Sequence, residues 1–153
     1  MTLFAFEQSE KTSDDYLTPL WVFDTLGLEF DLDVASPPWP THVPAARTFT
    51  KADDGLTQPW EGRVWMNPPF SAVTPWVARF MLHGDGIALL PMSKSDWVLQ
   101  LWRSQASIAL PQTLFRMWAE VPNGANSQVQ YMIFFAAFGD ECVEAIARLG
   151  RVR

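Results

Sequence analysis

Asn67-Pro68-Pro69-Phe70 follows the apolar run Val64-Trp65-Met66, so the tetrapeptide sits where a buried strand ends. Prolines fix the turn, and two acceptors are then held in a set relation: the Asn67 side-chain oxygen and the Pro68 carbonyl. An amino group on an aromatic ring is a poor nucleophile, because its lone pair is delocalised into the ring. Two acceptors placed on its hydrogens favour the tetrahedral nitrogen that attacks an electrophile such as a methyl donor. Phe70 adds a face on which a base turned out of a duplex can stack, an interaction worth about 1–3 kcal/mol per base. The same residues are also ordinary punctuation, since Asn-Pro opens many turns and phenylalanines fill cores. The rest of the chain has to decide between the two.

The surrounding pattern predicts alternating strands and helices that would carry this turn on the rim of a sheet. Thr18-Pro19, Leu20, Phe23, Leu26 and Gly27 give an N-cap, an opening proline, an apolar stripe and a terminal glycine. The pattern recurs at Thr74-Pro75, with Val77, Phe80, Met81 and then Gly84. Strands are expected at Phe30–Ala35, Arg47–Thr50, Arg63–Met66 and Ile87–Pro91, and a helix from Ser95-Asp96 to about Ser104. Leu114–Trp118 and Val129–Phe138 are expected to form a hairpin around a polar tip, followed by a helix capped by Asp140. Four prolines within residues 37–46 forbid a full helix, so the first crossover helix should be reduced. The predicted fold is a three-layer α/β sandwich, its sheet mixed but mostly parallel, with a C-terminal antiparallel hairpin. Ligands of such sheets bind beyond the carboxyl ends of the strands. Asp33, closing the first strand, is therefore a candidate for binding the amino group of a methyl donor. Asp31 lies on the same strand face and reads as structural.

Read in order, Asp14-Asp15-Tyr16-Leu17-Thr18-Pro19-Leu20-Trp21-Val22-Phe23, Phe30-Asp31-Leu32-Asp33-Val34-Ala35-Ser36, Asp53-Asp54-Gly55-Leu56 and Gly62-Arg63-Val64-Trp65-Met66-Asn67-Pro68-Pro69-Phe70-Ser71 resemble the phage-type DNA N6-adenine methyltransferases (Dam family). The resemblance covers residues 14–138. It implies a Rossmann-like, S-adenosylmethionine-dependent methyltransferase fold and a flipped adenine in DNA as substrate. It also implies a phage or prophage origin, with action in the cytoplasm of the host bacterium. Asn67, Pro68, Pro69 and Phe70 are then the catalytic set. Tyr16, Thr18, Pro19, Asp33, Ala35, Asp53, Asp54 and Asn67 are the expected contacts to the donor, with the choice between Asp53 and Asp54 for its ribose or adenine left open. The chain departs from the family in having Val34-Ala35-Ser36-Pro37-Pro38 where many methyltransferases have a glycine-rich turn. It also has Phe70 where tyrosine is commoner, which keeps a stacking ring and loses a hydroxyl.

At 153 residues the chain fits one domain, 1–153, with residues 1–13 as a flexible N-terminus and no separate target-recognition domain. No apolar run approaches the roughly 20 residues that span a bilayer, and the first residues lack the marks of a signal peptide. Cys142 falls on an amphipathic stretch as a small buried residue, and His42 and His83 have no neighbours at ligand spacing, so no metal is expected. The net charge of −6 is unusual for a nucleic-acid partner, but it is unevenly spread. Residues 1–62 hold eleven Asp/Glu against three Lys/Arg, and residues 63–153 six against eight. The acidic half suits a cationic sulfonium donor. Ser71, Lys94, Asn126, Ser127 and Gln128 are candidate DNA contacts, acting as monomer or homodimer. Two other readings stand beside this one: methylation of an RNA base or a protein glutamine, and a catalytically silent DNA-binding relative.

Overall fold

The computed structural model describes residues 17–111, 116–119, 127–130 and 132–153. Seven strands form one sheet: β1 (Phe30–Asp33), β2 (Ala45–Thr48), β3 (Val64–Met66), β4 (Gly86–Pro91), β5 (Ser107–Pro111), β8 (Ile133–Phe138) and β9 (Gly150–Val152), in the order β2-β1-β3-β4-β8-β5-β9. The first four are mutually parallel, while β8 pairs antiparallel with both β4 and β5, and β9 antiparallel with β5. Five strands thus run one way, and only β8 and β9 oppose them. A separate two-stranded sheet holds β6 (Arg116–Ala119) against β7 (Ser127–Gln130).

Central strands buried on both faces need apolar residues at every position, and β3, β4 and β8 supply them. Side chains alternate between two clusters. Trp65, Ile87, Leu89, Phe135 and Ala137 pack with helix α1 (Leu20–Leu26) and helix α4 (Asp140–Ile146). Val64, Met66, Ala88, Leu90, Phe134 and Ala136 pack with α2 (Val73–His83) and α3 (Asp96–Arg103). Each sheet face therefore carries its own pair of helices. Between β1 and β2 no helix intervenes, as the prolines of residues 37–46 require. The expected C-terminal glycines hold: Gly27 and Gly84 adopt the left-handed conformation and donate their N–H groups to Phe23 and Phe80.

Several expectations need correction. Pro19, not Thr18, occupies the N-cap of α1, and Ala72, not Thr74, that of α2, neither with a side-chain cap. A short 3₁₀ turn at Phe70–Ala72 starts the helical path early and displaces Thr74 into the helix. Gly139, not Asp140, caps α4. The predicted hairpin is divided, because residues 133–138 leave β7 and fill the gap between β4 and β5, where their apolar side chains are wanted on both faces. Strands β5 and β9 were not predicted. Cys142 is buried as expected. No helix among the described residues is long and apolar enough to cross a membrane, and none of their His, Cys, Asp and Glu side chains cluster in threes as metal ligands.

Candidate functional site

β1 is followed by β2 on one side and β3 by β4 on the other, so the onward connections of neighbouring strands diverge and a crevice opens at their carboxyl ends. That crevice forms a cleft. Its floor is the end of β1 and β3, from Asp33 to Ser36 together with Trp65, Asn67 and Pro69. One wall is the proline segment, Pro37, Pro38, Thr41 and Val43; another is Thr50, Lys51, Asp54 and Gly55. Leu17 and Thr18 enter from the start of the described chain, and Trp76 from α2. Its volume of about 170 Å³ is far above the roughly 10–15 Å³ that one water needs, so an organic ligand has room.

Asp33 is the chemical centre of this cleft. It is buried to 2% exposure, and one carboxylate oxygen accepts the Ala35 N–H at 3.2 Å. No ion pair with a described Lys or Arg compensates it. Burial pushes its pKa from the usual 3.8 to about 7, against the opposing pull of the Ala35 N–H. A ligand that brings an ammonium group or several donors to this carboxylate would offset the cost of its burial.

The second wall is held in place from outside. Gly55 lies so close to β1 that a Cβ there would meet the Val34 carbonyl oxygen at 2.1 Å, which only glycine avoids. The indole N–H of Trp60 donates to the Gly55 carbonyl at 2.8 Å. Arg79, on α2, donates to the carbonyls of Leu56 and Gln58 and stacks its guanidinium over the Trp60 ring. Asp54, held in this loop, has a φ of 54°, the sole positive φ among described non-glycine residues, and it faces the cleft. Such a sparsely populated conformation persists where the surroundings impose it. Asp53 is turned away, its carboxylate accepting both the N–H and the hydroxyl of Thr50.

Of the residues singled out from the sequence, Thr18, Asp33, Ala35, Asp54, Asn67 and Pro69 come together in the cleft. Asn67 donates from its amide nitrogen toward the Thr18 hydroxyl at 3.5 Å. Pro68 is buried behind the turn, and Pro19 serves at the N-cap of α1. Phe70 is half-buried and packs against the core on both faces of the sheet, outside the cleft lining. Ser71 and Lys94 are exposed and also outside it. Ser127 and Gln128 begin β7, whereas Tyr16 and Asn126 lie outside the described residues, as does the N-terminal stretch 1–13. Asp31 is exposed, and its carboxylate accepts the Arg63 N–H at 2.7 Å, tying β1 to β3. Missed were Lys51, Trp76 and the proline segment as cleft walls, and Arg79 as the clamp on the loop at Leu56 and Gln58. Four prolines beside a strand end were the available signal for a rigid wall; nothing in the sequence marks Arg79.

Residues 7–103, which carry β1 to β4 and every cleft residue, match the family described as DNA N-6-adenine-methyltransferase (Dam). A protein of Haemophilus phage HP1 (strain HP1c1), described as a DNA N-6-adenine-methyltransferase, is 34% identical over 99 residues. That alignment takes in 59% of this chain and 55% of the phage protein, so the chain spans about half the length of the relative it matches. No solved structure matches the chain.

The raised Asp33 pKa has a consequence for stability. Between about pH 4 and pH 7 the folded state keeps a proton that the unfolded state has lost, so this group's contribution falls as pH rises through that window. Asp33→Asn removes the penalty, keeps an oxygen for the Ala35 N–H and leaves two amide N–H donors to be satisfied. The variant should be more stable than the parent at pH 8, on the order of 2 kcal/mol, with the advantage gone by pH 4. Urea unfolding at the two pH values measures it, and a variant less stable at pH 8 would mean that Asp33 is held charged by a partner.

Proposed function

This chain belongs to the DNA N-6-adenine-methyltransferase (Dam) family, and on that footing we propose that it transfers a methyl group from S-adenosylmethionine to N6 of an adenine flipped out of DNA. The observation that carries the reading is the meeting of Asp33 and Asn67 in one cleft, at neighbouring strand ends. The parallel strands β2-β1-β3-β4 with helices on both faces support a Rossmann-like methyltransferase arrangement, whose switch point is this crevice.

The cleft suits the donor. A buried carboxylate with no cation beside it among the described residues answers an α-ammonium group, Asp54 brings a second carboxylate to the opposite wall, and Trp76, Val34 and Leu17 line the cleft with apolar surface. S-adenosylmethionine, when bound, supplies an electrophilic methyl group. Asp33 and Asp54 hold and orient; Ala35 keeps Asp33 directed by its N–H. Asn67 contributes an amide oxygen and Pro68 a carbonyl as acceptors for the two hydrogens of N6, which draws the nitrogen lone pair out of the ring. No strong base is required, because the nitrogen loses its proton after attack, and the residues act mainly by positioning. Phe70, half-buried and following directly on the turn, offers a stacking surface to the extruded base. The location proposed for this activity is the cytoplasm of a phage-infected or lysogenic bacterium.

The test follows labelled methyl groups into duplex DNA, with N6-methyladenine identified by mass spectrometry. Asn67→Ala should lower kcat by about 100-fold or more while donor affinity falls far less, since its amide oxygen is assigned to the amine of the base. Appreciable turnover by that variant would remove Asn67 from the reaction.

Donor affinity should itself depend on pH. Binding an ammonium needs Asp33 ionised, so Kd should rise about tenfold per unit as pH falls below 7. Calorimetry should show proton release on binding at pH 6, and the slope should vanish in Asp33→Asn. A flat profile in the parent protein would place the ammonium elsewhere.

A further inference from the structure

We propose that Arg79, which lies outside the cleft lining, is a positioning residue that sets donor affinity by fixing the wall that carries Asp54, an inference that rests on the donor reading of the cleft. Helix α2 turns three residues of one face, Trp76, Arg79 and His83, toward the segment 55–62. Trp76 stacks on Trp60 with ring centres 6.4 Å apart. His83 meets the same ring edge-on and donates from Nε2 to the Gly62 carbonyl at 2.6 Å. Arg79, half-buried between them in the sequence of the face, lies over the Trp60 ring at 4.9 Å and donates to the carbonyls of Leu56 and Gln58.

Side chains engage five carbonyls of this wall. Gln58 donates to the Asp53 carbonyl at 2.8 Å, the Thr57 hydroxyl to that of Asp54 at 2.9 Å and the Trp60 indole to that of Gly55 at 2.8 Å, while Arg79 takes those of Leu56 and Gln58. The first three donors belong to the loop and its continuation and would move with it. Arg79 alone among them reaches in from another element, and a planar fork of N–H groups on two carbonyls fixes direction as well as distance. Asp54 stands at the head of this stretch with a φ of 54°, a conformation that aspartate tolerates without preferring it. Released from the fork, the loop can relax and carry the carboxylate out of register with a ligand. A carboxylate accepts hydrogen bonds within narrow limits of distance and angle, so a shift of about 1 Å is enough to lose them.

Calorimetric titration with S-adenosylhomocysteine, the donor without its methyl group, tests this at a temperature where each variant is fully folded. Arg79→Met keeps an apolar stem on the Trp60 ring and loses every N–H, and Kd should rise about tenfold, the loss of one hydrogen bond to a charged group. Arg79→Lys keeps the charge and can reach one carbonyl, so its Kd should fall between those of the parent and Arg79→Met. Asp54→Asn keeps a residue type suited to positive φ and should itself weaken binding. In that background there is no carboxylate left to position, and Arg79→Met should change Kd less than about twofold. The same tenfold loss in both backgrounds would make Arg79 a prop of the fold in general, and an unchanged Kd in Arg79→Met would free the wall of it; either result overturns the assignment. A parent protein that binds no S-adenosylhomocysteine would overturn the donor reading and this one together, whereas binding that Arg79→Met leaves unmoved overturns this one alone.

Discussion

Everything in the site depends on β1 and β3 lying side by side while their chains continue in opposite directions. The pairing is short, Leu32 with Val64 and Asp33 with Trp65, and it is reinforced where the strands begin by the Asp31 carboxylate on the Arg63 N–H. Beyond it the backbone cannot cover its own end. One strand turns into the proline segment and the other into the Asn67 turn, and the gap between them becomes the cleft. Asp33 and Asn67 thus meet because the sheet changes direction there, not because they are close in sequence.

The cost of that geometry is a carboxylate taken out of water. Hydrophobic packing on both sheet faces carries the fold, and the site draws on it, as ligand sites commonly do. The surroundings are correspondingly stiff. Arg79 and Trp60 hold the Asp54 loop from the far side, Gly55 lets that loop touch β1, and the prolines leave the opposite wall few conformations to lose when a ligand arrives. Rigid walls around an under-solvated charge amount to preorganisation, in which the protein has met the desolvation cost before the ligand enters.

Much of this was legible in the sequence, for identifiable reasons. Strands β3 and β4 announce themselves as apolar runs and β1 by the alternation Phe30-Asp31-Leu32-Asp33, and the strand-end positions of Asp33 and Asn67 follow from them. The helix starts were less legible. Thr18 and Thr74 carry the residue types of caps, but the bend at Phe70 and the approach of Thr18 to Asn67 are tertiary events that local grammar does not encode. Strands β5 and β9 escaped notice because both are short and lie toward one edge of the sheet, where half-exposed residues such as Leu110 and Val152 blur any alternation. Residues 129–138 misled for the opposite reason. They are strongly β-forming throughout, and no composition says that the chain will change partners within them. Arg79 acts through carbonyls of a loop more than twenty residues away, a relation that leaves no pattern behind.

Strand β8 has one more effect, in time and not in space. It is made after β4 and β5, yet it lies between them and hydrogen-bonds to both. On the ribosome, where earlier segments emerge first, the cleft-bearing strands must wait with the β4 edge bare until residues 133–138 appear. A bare, wholly apolar edge invites pairing with other chains, and non-local strand pairing is slow to form. The nascent protein therefore carries its whole ligand site before it can close the sheet that supports it. That interval, more than the finished fold, is when it is most exposed to aggregation and to the chaperones that prevent it.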